Sequence, residues 1–438
     1  MNNLLSARAL MGISLGFHIV YATIGTGLPF MLMIAEGISL RTGEEAYHLI
    51  ARNWIRPAAV LFAIGGVSGT ILSFELGLLW PRFMEFSGAL IGPAFSMEGF
   101  AFFTEAVFLA LYLYGERRLT RRMQFFCTIP LTIAAAASAL SVISANSWMN
   151  TPAGFKLADG ALAEVHPLTA FANPAWAHEA VHGTLAAYVA TGFSVAGIYA
   201  AILLRGCRSR HNEKALTLAL AVGSVCLPLM LLSGDWAAYF VANHEKPKLA
   251  AMEAHFTTGR GVPLVIGGWP DPVKHQVLYG IEIPKLLSVL AHRDPDSTVE
   301  GLDAFPPDRV PDPRLVHPFF DLMVGSFFIM FTAAAWSWWL RLRRSRASLD
   351  KWPLRALVCA SPFGMIALEC GWLVTEFGRQ PWIVRGHMLT ADGATPSAGI
   401  GVVFVTFMVL YIALTIGLLN LLLRPAPAEK GLGTEGEC

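Results

Sequence analysis

A few side chains stand out because of where they fall. His18, Glu98, Glu105, His178, His182 and Glu369 lie in stretches of almost unbroken apolar sequence, and Met323 shares that setting. An ionisable group at the centre of a bilayer costs roughly 3 kcal/mol or more, so it normally has a partner or a task. Histidine nitrogen, methionine sulfur and carboxylate oxygen are side-chain atoms that serve as axial ligands to haem iron. Glu98 and Glu105 are seven residues apart, which on a helix leaves them on one face, about 10 Å apart along the axis. Two carboxylates stacked in this way suit a proton relay. Each residue alone also fits a plainer role: a histidine bonded to a neighbouring helix, a carboxylate in an ion pair, a methionine in the core.

The elements that must carry these residues are membrane helices. Crossing the hydrocarbon core takes about 20 apolar residues, and nine stretches qualify: 9–35, 54–80, 94–115, 123–145, 179–204, 215–242, 316–341, 354–377 and 397–424. The amino terminus runs into the first of them without a cleavage-site pattern, so that span is read as retained. Basic residues cluster after spans three (Arg117, Arg118, Arg121, Arg122), five (Arg205, Arg208, Arg210, Lys214) and seven (Arg341, Arg343, Arg344, Arg346, Lys351, Arg355). These loops are therefore expected in the cytoplasm. The reading is an all-α integral membrane protein of nine transmembrane helices, a single membrane domain over 1–438, with the amino terminus outside and the carboxyl terminus cytoplasmic. Spans one, three, five and seven then run inward and span eight outward, which places His18, Glu98, His182, Met323 and Glu369 in the outer half. Facing helices could hold a haem between them there.

Residues 243–315, between spans six and seven, form a long connection rich in proline, glycine and charge, including GGWPDP and FPPDRVPDPR. A loop of this length is functional or disordered, and the orientation puts it outside. With 55% hydrophobic and 14% charged residues the chain belongs in a bilayer, and a net charge of +1 argues against nucleic acid as a partner. Cys127, Cys207, Cys226, Cys359, Cys370 and Cys438 show neither CxxC nor paired spacing, so neither zinc nor a disulfide framework is indicated. No internal repeat is visible that would support an inverted-repeat transporter.

Ordered motifs run along the whole chain: Arg8 with FH at 17–18, GVSGT at 66–70, FELGLLW at 74–80, EGFAFFTE at 98–105, NSWMNTPAGF at 146–155, VHGTLAAY at 181–188, KLAAMEA at 248–254, LMVG at 322–325 and, most specific, GWLVTEFGRQPW at 371–382. The chain thereby resembles subunit I of cytochrome bd-type quinol oxidases of the short Q-loop type, multi-pass proteins of the bacterial inner membrane. The resemblance implies quinol oxidation outside, reduction of dioxygen to water at a high-spin haem pair, and proton-motive force without pumping. It implies His182 and Met323 as axial ligands of a low-spin haem b. His18 and Glu369 become ligands of the two high-spin haems, one b and one d, or a further b in place of d; which serves which stays open. Glu98 and Glu105 become carboxylates for iron contact and proton delivery, and Lys248 and Glu253 quinol-site residues at the start of the periplasmic Q-loop. Arg379, Gln380 and Trp382 border the quinol pocket or a haem propionate. Implied partners are a second multi-span subunit, a small single-span peptide, dioxygen and a membrane quinol, ubiquinol or menaquinol.

Three positions depart from the pattern. The Glu98 to Glu105 segment is one residue shorter than in the family. Asp321 stands where an arginine is expected to steady the low-spin haem, and an anion in place of that cation would lower the haem's potential. His178, four before His182, shares its helix face and competes as a ligand. Two rival readings are a cyanide-insensitive relative without haem d and a haem-free proton-coupled transporter.

Overall fold

The computed structural model describes residues 3–115, 118–158, 161–343 and 349–422. Arg117, Arg344, Arg346, Cys438 and the end of the ninth expected span lie outside the described residues. The chain opens with four long helices, α1 (Asn3–Thr42), α2 (Glu45–Leu79), α3 (Pro81–Gly115) and α4 (Arg121–Asn150). A short hairpin of β1 (Phe155–Ala158) and β2 (Ala161–Val165) follows, then α5 (Pro167–Phe171), α6 (Trp176–Leu204), α7 (Arg210–His244) and α8 (Lys246–Met252). Beyond the long connection come α9 (Leu286–His292), α10 (Pro313–Arg343), α11 (Lys351–Ala360), α12 (Phe363–Arg379), α13 (Thr390–Gly393) and α14 (Ile400–Leu422). Among the described residues nine segments are long and apolar enough to cross a membrane, α11 and α12 together making the eighth.

Several helices outrun their apolar stretches. α2 starts at Glu45, where an expectation based on hydropathy alone starts near 54, because the mixed polar and apolar residues 45–53 contain no glycine or proline to break the helix. Breaks fall where the backbone demands them. Gly43 takes φ +72 just after α1, and Thr120 and Ser209 cap α4 and α7 with their hydroxyls.

α6 is the central helix, packed on α1, α4, α7, α11 and α12. Small residues let its neighbours approach: a Cβ at Gly192 would lie 2.8 Å from the Gly223 nitrogen of α7, and one at Gly364 of α12 2.7 Å from the Ala190 Cα. The basic connections gather at one end of the bundle. Arg121 pairs with Glu45, Lys214 with Glu44, and Arg208 donates to the Leu349 carbonyl across 2.9 Å. The long connection is ordered. Its strands nest as antiparallel pairs: β3 (Gly259–Arg260) with β8 (Thr298–Val299), β4 (Leu264–Ile266) with β7 (Ile281–Ile283), and β5 (Trp269–Asp271) with β6 (Gln276–Leu278). Beyond α12, β9 (Trp382–Val384) pairs with β10 (Met388–Leu389).

Candidate functional site

Two histidines are held by the same device. His182 on α6 sets its Nδ1 3.0 Å from the Ser233 Oγ of α7, and that hydroxyl donates its hydrogen to the Met230 carbonyl. The serine can then only accept, so His182 Nδ1 carries the hydrogen and Nε2 presents its lone pair. His18 on α1 repeats the pattern: Nδ1 lies 2.9 Å from the Ser68 Oγ of α2, and Ser68 donates to the Gly65 carbonyl. Metal-ligating histidines are typically oriented through their other nitrogen in this way. His178 differs: it is buried, both ring nitrogens lack a hydrogen-bond partner, and the ring packs 4.3 Å from that of Phe240. Nothing orients it toward a metal, which favours His182 of the two.

Glycines mark where the second member of each set packs closely on a neighbouring helix. A Cβ at Gly371 of α12 would come within 3.3 Å of the Met323 Sδ on α10. One at Gly16, two residues from His18, would lie 3.5 Å from a Glu369 oxygen. Glu369 Oε1 is buried without a hydrogen-bond partner. Beside them Glu75, fully buried on α2, accepts from the Ser14 hydroxyl at 2.9 Å, and its other oxygen is unpartnered. On the unbroken helix α3, Glu105 is buried and Glu98 half-buried. Seven residues of continuous helix keep them on one face, where eight would turn one about 80° away.

Among the described residues no three His, Cys, Asp or Glu side chains gather as a site for a bare metal ion. Pairs of axial donors with unsatisfied atoms are what a haem requires, because the macrocycle supplies the other ligands. A second observation fits haem. Arg379, at the end of α12, is 2% exposed; its Nη2 meets Glu376 at 2.5 Å, while Nε and Nη1 are buried without partners. Glu376 also accepts from Asn146 at 2.5 Å. Nearby, Glu245 takes Lys248 at 3.1 Å and Arg385 at 3.2 Å, and Arg385 Nε is unpartnered. Idle buried guanidinium donors suit carboxylates such as haem propionates. Burial works against ionisation of Glu245, but Lys248 and Arg385 outweigh it and hold the carboxyl below its ordinary range. Trp382 is half-buried with the Arg309 guanidinium 5.7 Å over its ring, and Gln380 accepts from the Thr390 hydroxyl at 3.0 Å.

Lys248 and Glu253 engage different helices. Five positions on a helical turn separate side chains by about 140°. Lys248 runs along α12, where a Cβ at Gly378 would meet its Cγ at 2.8 Å. Glu253 is buried within electrostatic reach of Asp321 on α10; burial, then Asp321, raises its carboxyl to about 8. Asp321 is not a bare anion: it lies 3.3 Å from His317 Nε2 and accepts from the Gly267 amide at 2.7 Å.

Several residues here carry no signal strong enough to be found by motif. Ser233 lies outside every quoted motif, and Ser68, within GVSGT, shows nothing of its role until the helices pack. Glu75 and Glu376, inside quoted motifs, are legible as charges within spans. At the end carrying the basic connections, Glu36 is buried and bonded to His48 Nδ1 at 3.0 Å and to the Tyr112 hydroxyl, a group no motif announces.

The model of the family described as cytochrome bd terminal oxidase subunit I matches residues 6–430. A Bacillus subtilis protein, provisionally named a cytochrome bd menaquinol oxidase subunit I, is 37% identical over 99% of this chain and 99% of its own. A second protein of that organism, cytochrome bd ubiquinol oxidase subunit 1, is 29% identical over 97% of this chain and 93% of its own. The solved bd oxidase from Geobacillus thermodenitrificans superposes with a TM-score of 0.92 at 39% identity, covering 97% of this chain and 98% of that one. Alike from end to end in sequence and in fold, the chain belongs to the cytochrome bd terminal oxidase subunit I family, and it is a multi-pass membrane subunit of a respiratory quinol:oxygen oxidoreductase.

Proposed function

We propose that this subunit oxidises quinol beneath its long outer loop and delivers the electrons to a dioxygen-reducing haem pair held by α1, α2 and α12. Family membership implies haem cofactors, a second subunit and a quinol substrate. The observation that carries the finer reading is the repeated serine–histidine pair, each leaving one imidazole nitrogen with a free lone pair. His182 and Met323 hold the low-spin haem b. His18 and Glu369 hold the high-spin haems, b and d, or b in place of d. Bound haem supplies one-electron transfer and dioxygen reduction. Arg379 and Arg385, with their idle donors, and Trp382 beside them would hold the propionates of a bound haem.

The remaining residues handle protons and orientation. Glu253 takes a proton from the quinol hydroxyl, which requires its carboxylate form. Lys248, held by Glu245, supplies a fixed positive charge at the same end. Glu98 and Glu105 hold protons on one face of α3 for the oxygen side. The basic ends lie in the cytoplasm by the positive-inside rule, so the amino terminus and the loop 243–315 face the periplasm. Protons released outside and consumed from inside then build proton-motive force without pumping. The quinol is ubiquinol or menaquinol, the two types named for the relatives. A small single-span peptide completes the assembly.

The test is a reduced-minus-oxidised absorption spectrum of the purified complex with quinol-dependent oxygen uptake. A low-spin b signal, a high-spin pair and uptake with either quinol are expected; a red chlorin band reports haem d. Purification without haem would overturn the reading in favour of a transporter.

A further inference from the structure

Asp321 and His317 join three separate segments. His317, one turn before Asp321 on α10, is 0% exposed. Its Nδ1 faces the Met252 carbonyl at 2.8 Å, and its Nε2 faces the Gly267 carbonyl at 3.2 Å. Asp321 lies 3.3 Å from that Nε2 and accepts the Gly267 N–H at 2.7 Å. The Gly267 peptide unit is thus gripped at both its carbonyl and its amide by side chains one helical turn apart. Gly267 follows β4 and has φ +69; Gly268, at φ +87, leads into β5. This turn is where the outer loop doubles back. Met252 ends α8 and immediately precedes Glu253.

A loop made of two- and three-residue strands has few ladder bonds of its own, so its position depends on what anchors it. Here the anchor is the outer part of α10, the helix that also carries Met323. Both nitrogens of His317 face acceptors, so the ring bridges two loop carbonyls, with the Asp321 carboxyl beside it. Each such side-chain bond ties the loop backbone to α10 at a fixed point.

We propose that His317 and Asp321 form a clasp that fixes the Gly267 turn and the Met252–Glu253 segment onto α10, and so positions Glu253 for quinol. The second half of the inference rests on the reading of Glu253 as a quinol-site residue; the clasp itself does not.

The test uses the complete oxidase with two readouts, amide hydrogen exchange over residues 262–270 and steady-state quinol kinetics. Asp321→Ala and His317→Ala are each expected to speed exchange in that segment by about tenfold or more and to raise the quinol KM about tenfold, well beyond any change in kcat. Asp321→Asn keeps an oxygen for the Gly267 amide and is expected to restore most of the protection and the KM. Unchanged exchange in the alanine variants would overturn the clasp. Faster exchange with an unchanged KM would overturn its positioning role. If Asp321→Ala does not assemble, His317→Ala and Asp321→Asn give the same decision. Glu253→Gln with wild-type kinetics would sink the quinol-site reading alone and leave the exchange result standing.

Discussion

His18 and His182 are oriented by the same serine device, yet what surrounds each is of opposite character. Within a turn of His18 on α1, Gly16 adjoins the half-buried Glu369 and Ser14 bonds the buried Glu75, each carboxyl with an oxygen lacking a partner. His182 has Ser233 and Gly234 of α7 beside it, a Cβ at Gly234 lying 3.6 Å from its ring, while Met323 packs against Gly371 of α12 and the idle donors of Arg379 sit at the end of that helix. Histidine with methionine saturates an iron with two neutral ligands and suits electron transfer alone. A carboxyl near iron is labile and can carry a proton, which suits a centre where dioxygen is bound and protons are consumed. Under the proposed assignment, the same local chemistry at the histidine serves two uses.

The contrast can be broken most sharply at the histidines. His182→Ala is expected to remove the low-spin haem signal and lower quinol oxidation by at least about 100-fold, whereas His18→Ala should keep that signal and lose high-spin features and oxygen uptake. Spectra of the two purified variants decide it; the same spectrum from both would merge the sites. Next come the serines. Ser233→Ala and Ser68→Ala should each weaken retention of their own haem by about 10-fold, read from haem content during dilution. A loss at the wrong site would undo the parallel.

Glu253 sharpens the difference between the quinol end and the oxygen end through pH. Its carboxyl is raised from 4.5 to about 8, so below about 8 the proton-accepting form is scarce. Quinol kcat/KM is expected to climb with pH through about 8 and flatten above, and Glu253→Gln should remove that limb at reduced activity. The same shift means that the folded chain holds this proton more tightly than the unfolded one. Its contribution to stability therefore declines as pH rises from about 4.5 to 8. The smallest effect belongs to His178→Ala, where both haem signals should stay within about twofold of wild type. Loss of the low-spin signal there would reassign the ligand.

The ionisable residues in apolar stretches were legible as a set, and so were the nine spans, because a charge in hydrocarbon is costly wherever the chain goes. The order of the long loop was not, since its strands are two or three residues long and lack any periodicity. Lys248 and Glu253 were named as quinol-site residues by the family resemblance alone, and that one lies along α12 and the other toward Asp321 of α10 needed the packing to be seen.

By itself the sequence determined that this is a multi-span membrane protein with histidine, methionine and carboxyl groups at depth, and motif order narrowed the family. Only the tertiary structure decided which histidine is oriented, because Ser233 and Ser68 lie 51 and 50 residues away from their partners. It likewise decided that Asp321 is engaged rather than bare, through a loop amide 54 residues distant. Hydropathy and spacing act along the chain, while a hydrogen bond depends on which atoms packing brings within about 3 Å.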